Sequence, residues 1–492
     1  MTTPVFELPT VVLRSGEARL TSGSGGVYQH VEPATGRVQA TVPLAGPDDI
    51  DVAVRAAASA FASWSTARPA TRRDALLKLG DLLAANRAEL AAVAARENGT
   101  PVSLGLHQIA LARNWVKYYA GWADKLDGTV SSSFASGGDF TYSLSEPYGV
   151  IGAIITWNVP LISLCMKLAP ALAVGNTVVV KPSELTPFTP ELFARLADEA
   201  GIPAGVINVL PGTAAAGEAL VAHPLVQKIT FTGGPATARI ILSTCAAHLK
   251  PSVMELGGKS ANIVFPDADL QTAVDDVVRG GLAAVAGQAC IMGSRVLVHD
   301  AVYDEMLERL AAAAQALPVG NPIDRGTAFG PVINETAAGR IIGLIEKAVT
   351  DGDGRLLTGG HRLDGEFAAG SYVAPTLFAD VDPGSALAQS EVFGPVAGVS
   401  RFSTEADAVA MANNTKYGLA AYIHSNDLSL VHRVAGALRA GSVYVNGALP
   451  VIPGSPFGGL GESGFGREGG RPGIEEFVRP KTVSIAPPRR PA

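Results

Sequence analysis

The sequence of 492 residues has little charge and few aromatic side chains. Only 17% of its residues are charged and 6% are aromatic, whereas 47% are hydrophobic. A chain with this balance can bury a large core, which excludes a disordered, solvated protein. At roughly 150 residues per domain, the length predicts two to four domains or one composite one.

Clustered basic charge, abundant cysteine and long apolar runs are also missing. The net charge is −7, and no run of Lys and Arg stands out apart from Arg489–Arg490, so we expect no nucleic-acid partner. The three cysteines, Cys165, Cys245 and Cys290, are far apart, which is unlike a disulfide framework. No apolar run reaches the ~20 residues that cross a bilayer, and no signal peptide or metal-binding pattern is evident. We expect a cytoplasmic enzyme without membrane contact or metal.

Helical periodicity dominates the first part of the chain. It predicts two long helices within residues 48–98, the second capped by Thr71 and stopped by Gly99, and a third helix from about 104 to 125. Residues 128–147 are polar and alternating, which predicts a β-hairpin outside the main core.

Short apolar segments alternate with helical ones from residue 148 onward, which predicts βαβ units and a parallel sheet. A second α/β stretch covers about 259–450 and includes a long helix toward Gly287. The segment 475–486 predicts a strand that pairs with the hairpin or with another subunit. Parallel sheets bind ligands at the carboxyl ends of their strands, and the candidate residues follow such strands.

Three residues are candidates for catalysis, although each has an ordinary structural alternative. Cys290 lies among small residues in GQAC and fits a reactive thiolate, or else a buried structural cysteine. Glu255 follows an apolar strand and fits a general base with a raised pKa, or else a salt-bridged or capping residue. Asn158 fits an amide donor to an oxyanion, or else a turn before Pro160.

Two further motifs suit a nucleotide. Lys181 and Glu184 in KPSE fit a grip on ribose hydroxyls, or else a solvated loop pair. Gly233 and Gly234 end the segment FTGG before a helix, where backbone N–H groups can meet a phosphate. FTGG is not the GxGxxG fingerprint and is weak evidence alone.

The combination of motifs is more specific than any one of them. TWNVP, KPSE, FTGG, MELGGKS, GQAC and EVFGP occur in this order, between YYAGWADKLDG at 118–128 and SPFGG at 455–459. The chain resembles the aldehyde dehydrogenase superfamily over nearly its whole length. The resemblance implies an α/β fold with a Rossmann-type cofactor domain, an α/β catalytic domain and a small β oligomerisation hairpin. The implied bounds are 1–127 and 148–257 for the cofactor domain, 258–458 for the catalytic domain, and 128–147 and 459–492 for the oligomerisation segment.

The resemblance also implies residue roles. Cys290 matches the nucleophile that forms a thiohemiacetal and then a thioester, Asn158 matches the oxyanion donor, and Glu255 matches the base that activates water. Further residues match the cofactor site: Lys181 and Glu184 at the adenine ribose, Glu391 and Phe393 at the nicotinamide ribose, Trp157, Gly233 and Gly234 at the pyrophosphate, and Leu256 at the carboxamide. A carboxylate at position 184 favours NAD over NADP, while Lys181 leaves NADP possible.

Departures from the family pattern affect both ligands. Gly234 stands where many members have Ser, so only backbone donors face the phosphate, and Ala238 stands where Gly is common. Val159 replaces an aromatic residue beside Asn158. The candidate substrate-pocket residues include no Lys or Arg, which favours a neutral aliphatic, terpenoid or aromatic aldehyde: Val159, Ser163, Met166, Ala289, Ile291, Val451 and Phe457.

Three alternatives stay open. A CoA-acylating relative would pass the thioester to CoA, although Glu255 suits hydrolysis. A catalytically silent member would lack the nucleophile or the base, and both are present. A thiol esterase without cofactor would leave the cofactor motifs unexplained. Family members with such a hairpin form homodimers or homotetramers, and we expect self-association here.

Overall fold

The computed structural model describes residues 6–132, 139–448 and 451–486. Its strands are β1 Leu13–Ser15, β2 Ala18–Leu20, β3 Val27–Val31, β4 Val38–Pro43, β5 Val130–Ser132, β6 Phe140–Pro147, β7 Val150–Ile154, β8 Thr177–Lys181, β9 Ile207–Val209, β10 Val226–Thr232, β11 Ser252–Glu255, β12 Ala261–Val264, β13 Arg295–His299, β14 Arg355–Thr358, β15 Thr376–Ala379, β16 Val396–Phe402, β17 Ala420–His424, β18 Ser442–Val445, β19 Gly464–Phe465 and β20 Val478–Ile485. Its α-helices are α1 Pro47–Thr66, α2 Pro69–Ala85, α3 Arg87–Asn98, α4 Val102–Ala120, α5 Pro160–Ala173, α6 Phe188–Glu199, α7 Ala214–Ala222, α8 Pro235–Ala247, α9 Leu270–Asp275, α10 Tyr303–Gln315, α11 Glu335–Asp351, α12 Ala386–Gln389, α13 Glu405–Asn413, α14 Leu428–Ala437 and α15 Gly470–Glu475.

The first large sheet has the order β19-β11-β10-β7-β8-β9-β1-β2. Its central strands, from β11 to β9, are parallel, as the alternating pattern predicts. Strands β7 and β8 are buried along their whole length, since helices cover both faces of such a sheet. The carboxyl ends of β7, β8, β10 and β11 therefore meet at one edge, where four of the candidate motifs follow.

The second large sheet has the order β14-β15-β16-β13-β12-β17-β18 and is parallel from β15 to β18. A separate antiparallel sheet has the order β20-β6-β5. The predicted hairpin and C-terminal strand are thus confirmed, and the two pair within this chain. In the described part of the predicted oligomerisation segment 459–492, β19 joins the first sheet and β20 pairs with the hairpin.

The helix predictions for the first quarter of the chain are partly wrong. Residues 48–98 contain three helices, because the chain turns at Asn86, whose side-chain amide donates to the Leu82 carbonyl. The second helix begins at Pro69, which suits the first helical position, so Thr71 is not its N-cap. Gly99 stops the third helix in a left-handed conformation as predicted. Helix α4 spans Val102–Ala120 and not 104–125.

The long helix predicted toward Gly287 changes its character along its length. Helix α9 continues as a π-helix over Asp276–Ala283 and a 3₁₀ turn over Ala284–Gly287. Val285 and Ala286 have φ values of 50°, which valine and alanine rarely adopt. Such irregular helices are frequent near functional sites, and this one leads directly to Cys290. Within the described ranges, no helix combines the length and the apolar character needed to cross a bilayer.

Candidate active site

The Cys290 loop is held from both sides. Gly287 has φ +71°, and a Cβ there would collide with the backbone of Gly394 in the EVFGP loop. Tyr422 donates its hydroxyl hydrogen bond to the Ile291 carbonyl at 2.9 Å. Cys290 is a partly exposed residue, whereas Cys165 and Cys245 are buried. The loop therefore holds the least buried of the three cysteines on a backbone fixed by two neighbouring elements.

Asn158 is positioned toward this loop by two residues that sequence reasoning missed. Its Nδ2 donates to the Gln288 carbonyl at 2.7 Å, two residues before Cys290, while the Asn98 amide donates to the carbonyls of Trp157 and Asn158. The side chain of Gln288 in turn accepts from the Ile333 N–H at 3.1 Å. A primary amide has two N–H donors, so Asn158 keeps one for a ligand. Gln288 lies within the GQAC motif, which was the available clue to it.

Glu255 ends β11 and is 3% exposed, and neither carboxylate oxygen accepts a hydrogen bond from the described residues. Burial, followed by the nearby charge of Glu468, raises the pKa of Glu255 well above its usual range. Its backbone carbonyl accepts from the Gly233 N–H at 3.1 Å. A buried carboxylate with a raised pKa and no fixed partner is suited to exchange a proton with water.

A buried ion pair lies beside Glu255 and was not predicted. Lys167 on α5 donates to Glu468 at 2.6 Å and to the Thr230 hydroxyl at 3.1 Å. Both residues act on the pKa of Glu255, Glu468 raising it and Lys167 lowering it. The single Lys in an otherwise apolar helix was a clue to Lys167, but Glu468 is 301 residues away along the chain.

Glu391 faces the same site from the second large sheet. It accepts from the Gly258 N–H at 3.1 Å, and a Cβ at Gly257 would collide with its carboxylate, so only glycine allows this approach. Burial raises the pKa of Glu391 to about 7. Phe393 has φ +50° and packs edge-on against Trp157, with ring centroids 5.3 Å apart. Phe393, expected at the nicotinamide ribose, thus contacts Trp157, expected at the pyrophosphate, and Leu256 is buried next to Gly257 in the chain.

The remaining cofactor candidates lie along the edge of the first sheet. Lys181 ends β8, and its ammonium donates to the Gly212 carbonyl at 2.8 Å. Burial lowers the pKa of Lys181, and the charge of Glu184 acts in the opposite sense. Gly234 is the N-cap of α8 and has open space where a side chain would be. The N-terminus of α8 therefore has room for a ligand beside Gly234.

Most of the candidate substrate-pocket residues belong to one large apolar cluster, against which Cys290 also packs. Five of them belong to the same apolar cluster as Cys290: Val159, Met166, Ile291, Val451 and Phe457. Tyr118 and Trp122 pack against this cluster as well and were not predicted. Ser163 is buried and its hydroxyl has no partner among the described residues. Ala289 is partly exposed and lies outside the cluster.

The environment of Cys290 gives a pH-dependent prediction. Burial and the charges of Glu391 and Glu255 raise the pKa of the thiol, so less thiolate is present at a given pH than for a free cysteine. The pKa of a free cysteine is about 8.5, so its alkylation rate levels off above that pH. We expect the rate of Cys290 alkylation by iodoacetamide, followed by mass spectrometry, to keep rising at higher pH. Glu391→Gln should move this profile to lower pH. An unchanged profile in that variant would show that Glu391 does not act on the thiol.

Comparisons with known proteins agree with this geometry. The sequence profile of the Aldehyde dehydrogenase family matches residues 20–483. An aldehyde dehydrogenase of Alternaria alternata is 40% identical over 484 residues, which cover 98% of this chain and 96% of that protein. Crystal structures of PnpE from Pseudomonas sp. WBC-3 and of an NAD⁺ complex of a Bacillus cereus aldehyde dehydrogenase match with TM-scores of 0.95 and 0.93. Their sequence identities are 38% and 36%, and the matches cover 98% and 97% of this chain and 99% and 97% of theirs. The chain belongs to the aldehyde dehydrogenase family.

Proposed function

We propose that the protein oxidises a neutral, apolar aldehyde to the carboxylic acid with NAD, through a thioester on Cys290. One observation carries this proposal. The same site holds the partly exposed Cys290, the buried carboxylate of Glu255, which accepts no hydrogen bond from the described residues, and a second carboxylate, Glu391, and both carboxylates act on the pKa of the thiol. A nucleophile, a base and a polar anchor are thus within electrostatic range of one another.

The residues present suit NAD. Glu391 offers buried carboxylate oxygens to ribose hydroxyls, and the open N-terminus of α8 offers backbone donors to a pyrophosphate. The Bacillus cereus relative was solved as an NAD⁺ complex, which supports the same cofactor here. When bound, NAD supplies the hydride acceptor.

The first half of the reaction uses Cys290 and Asn158. The thiolate adds to the aldehyde carbon, and the C=O bond becomes an oxyanion. The free N–H of Asn158, held in place through Gln288, donates to that oxyanion. Loss of hydride from the former aldehyde carbon then restores the C=O bond and leaves a thioester on Cys290.

The second half uses Glu255. Its carboxylate takes a proton from water as the water oxygen bonds to the thioester carbon, and the C–S bond then breaks to release the acid and the thiolate. The raised pKa makes Glu255 a stronger base than an exposed carboxylate. The Lys167–Glu468 ion pair acts on the pKa of Glu255 through charge, Glu468 raising that pKa and Lys167 lowering it.

An assay of NADH absorbance tests the proposed function. We expect turnover with uncharged aliphatic, terpenoid or aromatic aldehydes without CoA, and little turnover with carboxylate-bearing aldehydes, since no Lys or Arg occurs among the pocket residues named above. The product should be the free acid. Dependence on CoA, with a thioester as product, would identify an acylating enzyme. No turnover with intact NAD binding would identify a silent member of the family.

Glu184 gives a prediction on cofactor choice. It follows β8 beside Lys181, is partly exposed, and would face the 2′-hydroxyl of the adenine ribose. Removing the carboxylate in Glu184→Ala should raise kcat/KM for NADP by about tenfold, equivalent to ~1.4 kcal/mol of relieved repulsion. The control is Glu199→Ala, which removes an acidic side chain at the C-terminal end of α6. If both variants keep the wild-type ratio of NAD to NADP activity, Glu184 does not contact the cofactor.

The three-stranded sheet gives a prediction on assembly. Val130, Phe140 and Ile485 on it are exposed hydrophobic residues, with exposed fractions of 73%, 53% and 53%. An exposed apolar sheet edge favours pairing with a second copy. Deleting residues 476–492 removes β20 and should yield monomers or insoluble protein in sedimentation. An unchanged oligomer would show that assembly uses another surface.

A further inference from the structure

The end of helix α3 carries a buried amide that bonds to the candidate active site. Asn98 is the last residue of α3 and is 2% exposed. Its Nδ2 donates to the carbonyls of Trp157 and Asn158 at 3.1 and 3.0 Å, 59 and 60 residues away along the chain. The helix itself ends in the left-handed turn at Gly99, so the Asn98 side chain is not needed to end it.

The orientation of the Asn98 amide is set by its neighbour Thr100. The backbone N–H and the hydroxyl of Thr100 donate to Asn98 Oδ1 at 3.2 and 2.8 Å. Because a backbone N–H can only donate, the atom facing it is the amide oxygen, and Nδ2 faces the two carbonyls. Both N–H donors and both acceptor positions of the amide are thus in use. Asn98 therefore forms a fixed bridge between α3 and residues 157–158.

The segment that Asn98 holds has little other backbone support. Residues 155–159 connect β7 to α5 without regular secondary structure. Within the described part of the chain, neither Trp157 nor Asn158 forms a hydrogen bond with another backbone group. The two bonds from Asn98 therefore satisfy carbonyls that strands and helices satisfy elsewhere, and they fix the path of the chain at Asn158.

The side chain of Asn158 depends on that backbone for its direction. Asn158 is 4% exposed, and its Nδ2 donates to the Gln288 carbonyl at 2.7 Å. Its Oδ1 has no hydrogen-bond partner in the described ranges. A single hydrogen bond leaves the amide plane free to turn about it, so the direction of the second N–H is set jointly by the Gln288 carbonyl and by the backbone that Asn98 holds.

We propose that Asn98 is a positioning residue for the oxyanion site: by fixing the backbone of Trp157 and Asn158, its amide directs the free N–H of Asn158 toward the oxyanion. Asn98 acts through Asn158 and not on the aldehyde itself. The inference rests on the proposed function, because an oxyanion forms only when a nucleophile adds to the aldehyde carbon. A shift of about 1 Å in a reacting group can cost about 10²-fold in rate, so the fixation of this backbone matters for the step that forms the thioester.

The rate constant of NADH formation in a single turnover, with enzyme in excess over aldehyde, tests the proposal. Asn98→Ala should lower it about tenfold, less than the roughly 10²–10³-fold expected for Asn158→Ala. The double variant should match Asn158→Ala within about twofold, because the two residues act through the same N–H. Asn86→Ala is the matched control and should keep the wild-type rate. The Asn86 amide also donates to a carbonyl, that of Leu82 at 2.9 Å, but at the opposite end of α3, about 18 Å away.

Two further measurements separate positioning from general damage to the site. Alkylation of Cys290 by iodoacetamide forms no oxyanion, so Asn98→Ala should be alkylated at the wild-type rate. A crystal structure of the full-length Asn98→Ala protein should show the Asn158 amide displaced from the Gln288 carbonyl, whereas Asn86→Ala should keep the 2.7 Å contact. Thr100→Val is the milder variant if Asn98→Ala does not fold. It removes one donor to Asn98 Oδ1 with little change of volume, and it should slow NADH formation about threefold.

The proposal is overturned if Asn98→Ala forms NADH at the wild-type rate, or if its effect multiplies with that of Asn158→Ala. It is also overturned if Cys290 alkylation slows as much as NADH formation, since the variant would then disturb the whole site. Where Asn98→Ala does not fold, a wild-type rate in Thr100→Val has the same meaning. A wild-type protein that forms no NADH would contradict the proposed function itself, and with it the role of Asn98, whereas normal turnover by Asn98→Ala would contradict this inference alone.

Discussion

We expect Cys290→Ala to abolish aldehyde oxidation while NAD binding persists. Loss of a covalent nucleophile removes the thioester route, and kcat should fall on the order of 10⁶-fold, below detection in an absorbance assay. The variant removes one sulfur atom from a partly exposed loop, so the fold should be preserved. NAD binding is measured separately by titration of the intrinsic tryptophan fluorescence.

The matched control is Cys245→Ala. Cys245 is buried on α8, is 2% exposed, and burial raises the pKa of its thiol. Neither Glu255 nor Glu391 acts on the pKa of this thiol, so Cys245 lies outside the proposed site and the control variant should keep full turnover. Measurable oxidation by Cys290→Ala, or loss of activity in Cys245→Ala with intact folding, would contradict the role proposed for Cys290.

Much of the fold could be predicted because short, largely apolar segments alternate with helical ones along the first sheet. This alternation predicts β7, β8 and β10, and the structure has them at Val150–Ile154, Thr177–Lys181 and Val226–Thr232. Buried parallel strands carry this signature in the residues themselves. Helix ends were harder to predict, since the break at Asn86 depends on a hydrogen bond within the folded helix pair and not on a strong helix breaker.

The candidate site was predictable where a motif carries it and not where distant segments meet. Cys290, Glu255 and Glu391 each lie in a recognisable motif, and the structure brings all three within electrostatic range. The pair Lys167–Glu468 depends on the packing of α5 against the C-terminal region, which no local pattern records. The π-helical turn before Cys290 was also invisible, because its residues have ordinary helical periodicity.

Glu255→Gln gives the second large effect, and it separates the two halves of the reaction. The amide cannot take a proton from water, so hydrolysis of the thioester should slow by about 10²–10⁴-fold, the usual contribution of a general base. Formation of the thioester does not need this base if the thiolate is already present. A burst of NADH equal to the enzyme concentration should therefore precede slow turnover in rapid-mixing experiments.

The pH dependence follows from the raised pKa of Glu255. Only the ionised form accepts a proton, so kcat of the wild type should fall as the pH decreases through that pKa, whereas the slow turnover of Glu255→Gln should not follow the same titration. Hydroxylamine attacks a thioester without a general base and should restore turnover of the variant. Glu462→Gln serves as the control. It removes the carboxylate that forms ion pairs with Lys416 and Arg239, and it should keep wild-type kinetics. An unchanged kcat in Glu255→Gln would exclude Glu255 as the base for hydrolysis. Loss of the NADH burst would instead show that acylation depends on the Glu255 carboxylate, which would assign Glu255 to activation of the thiol.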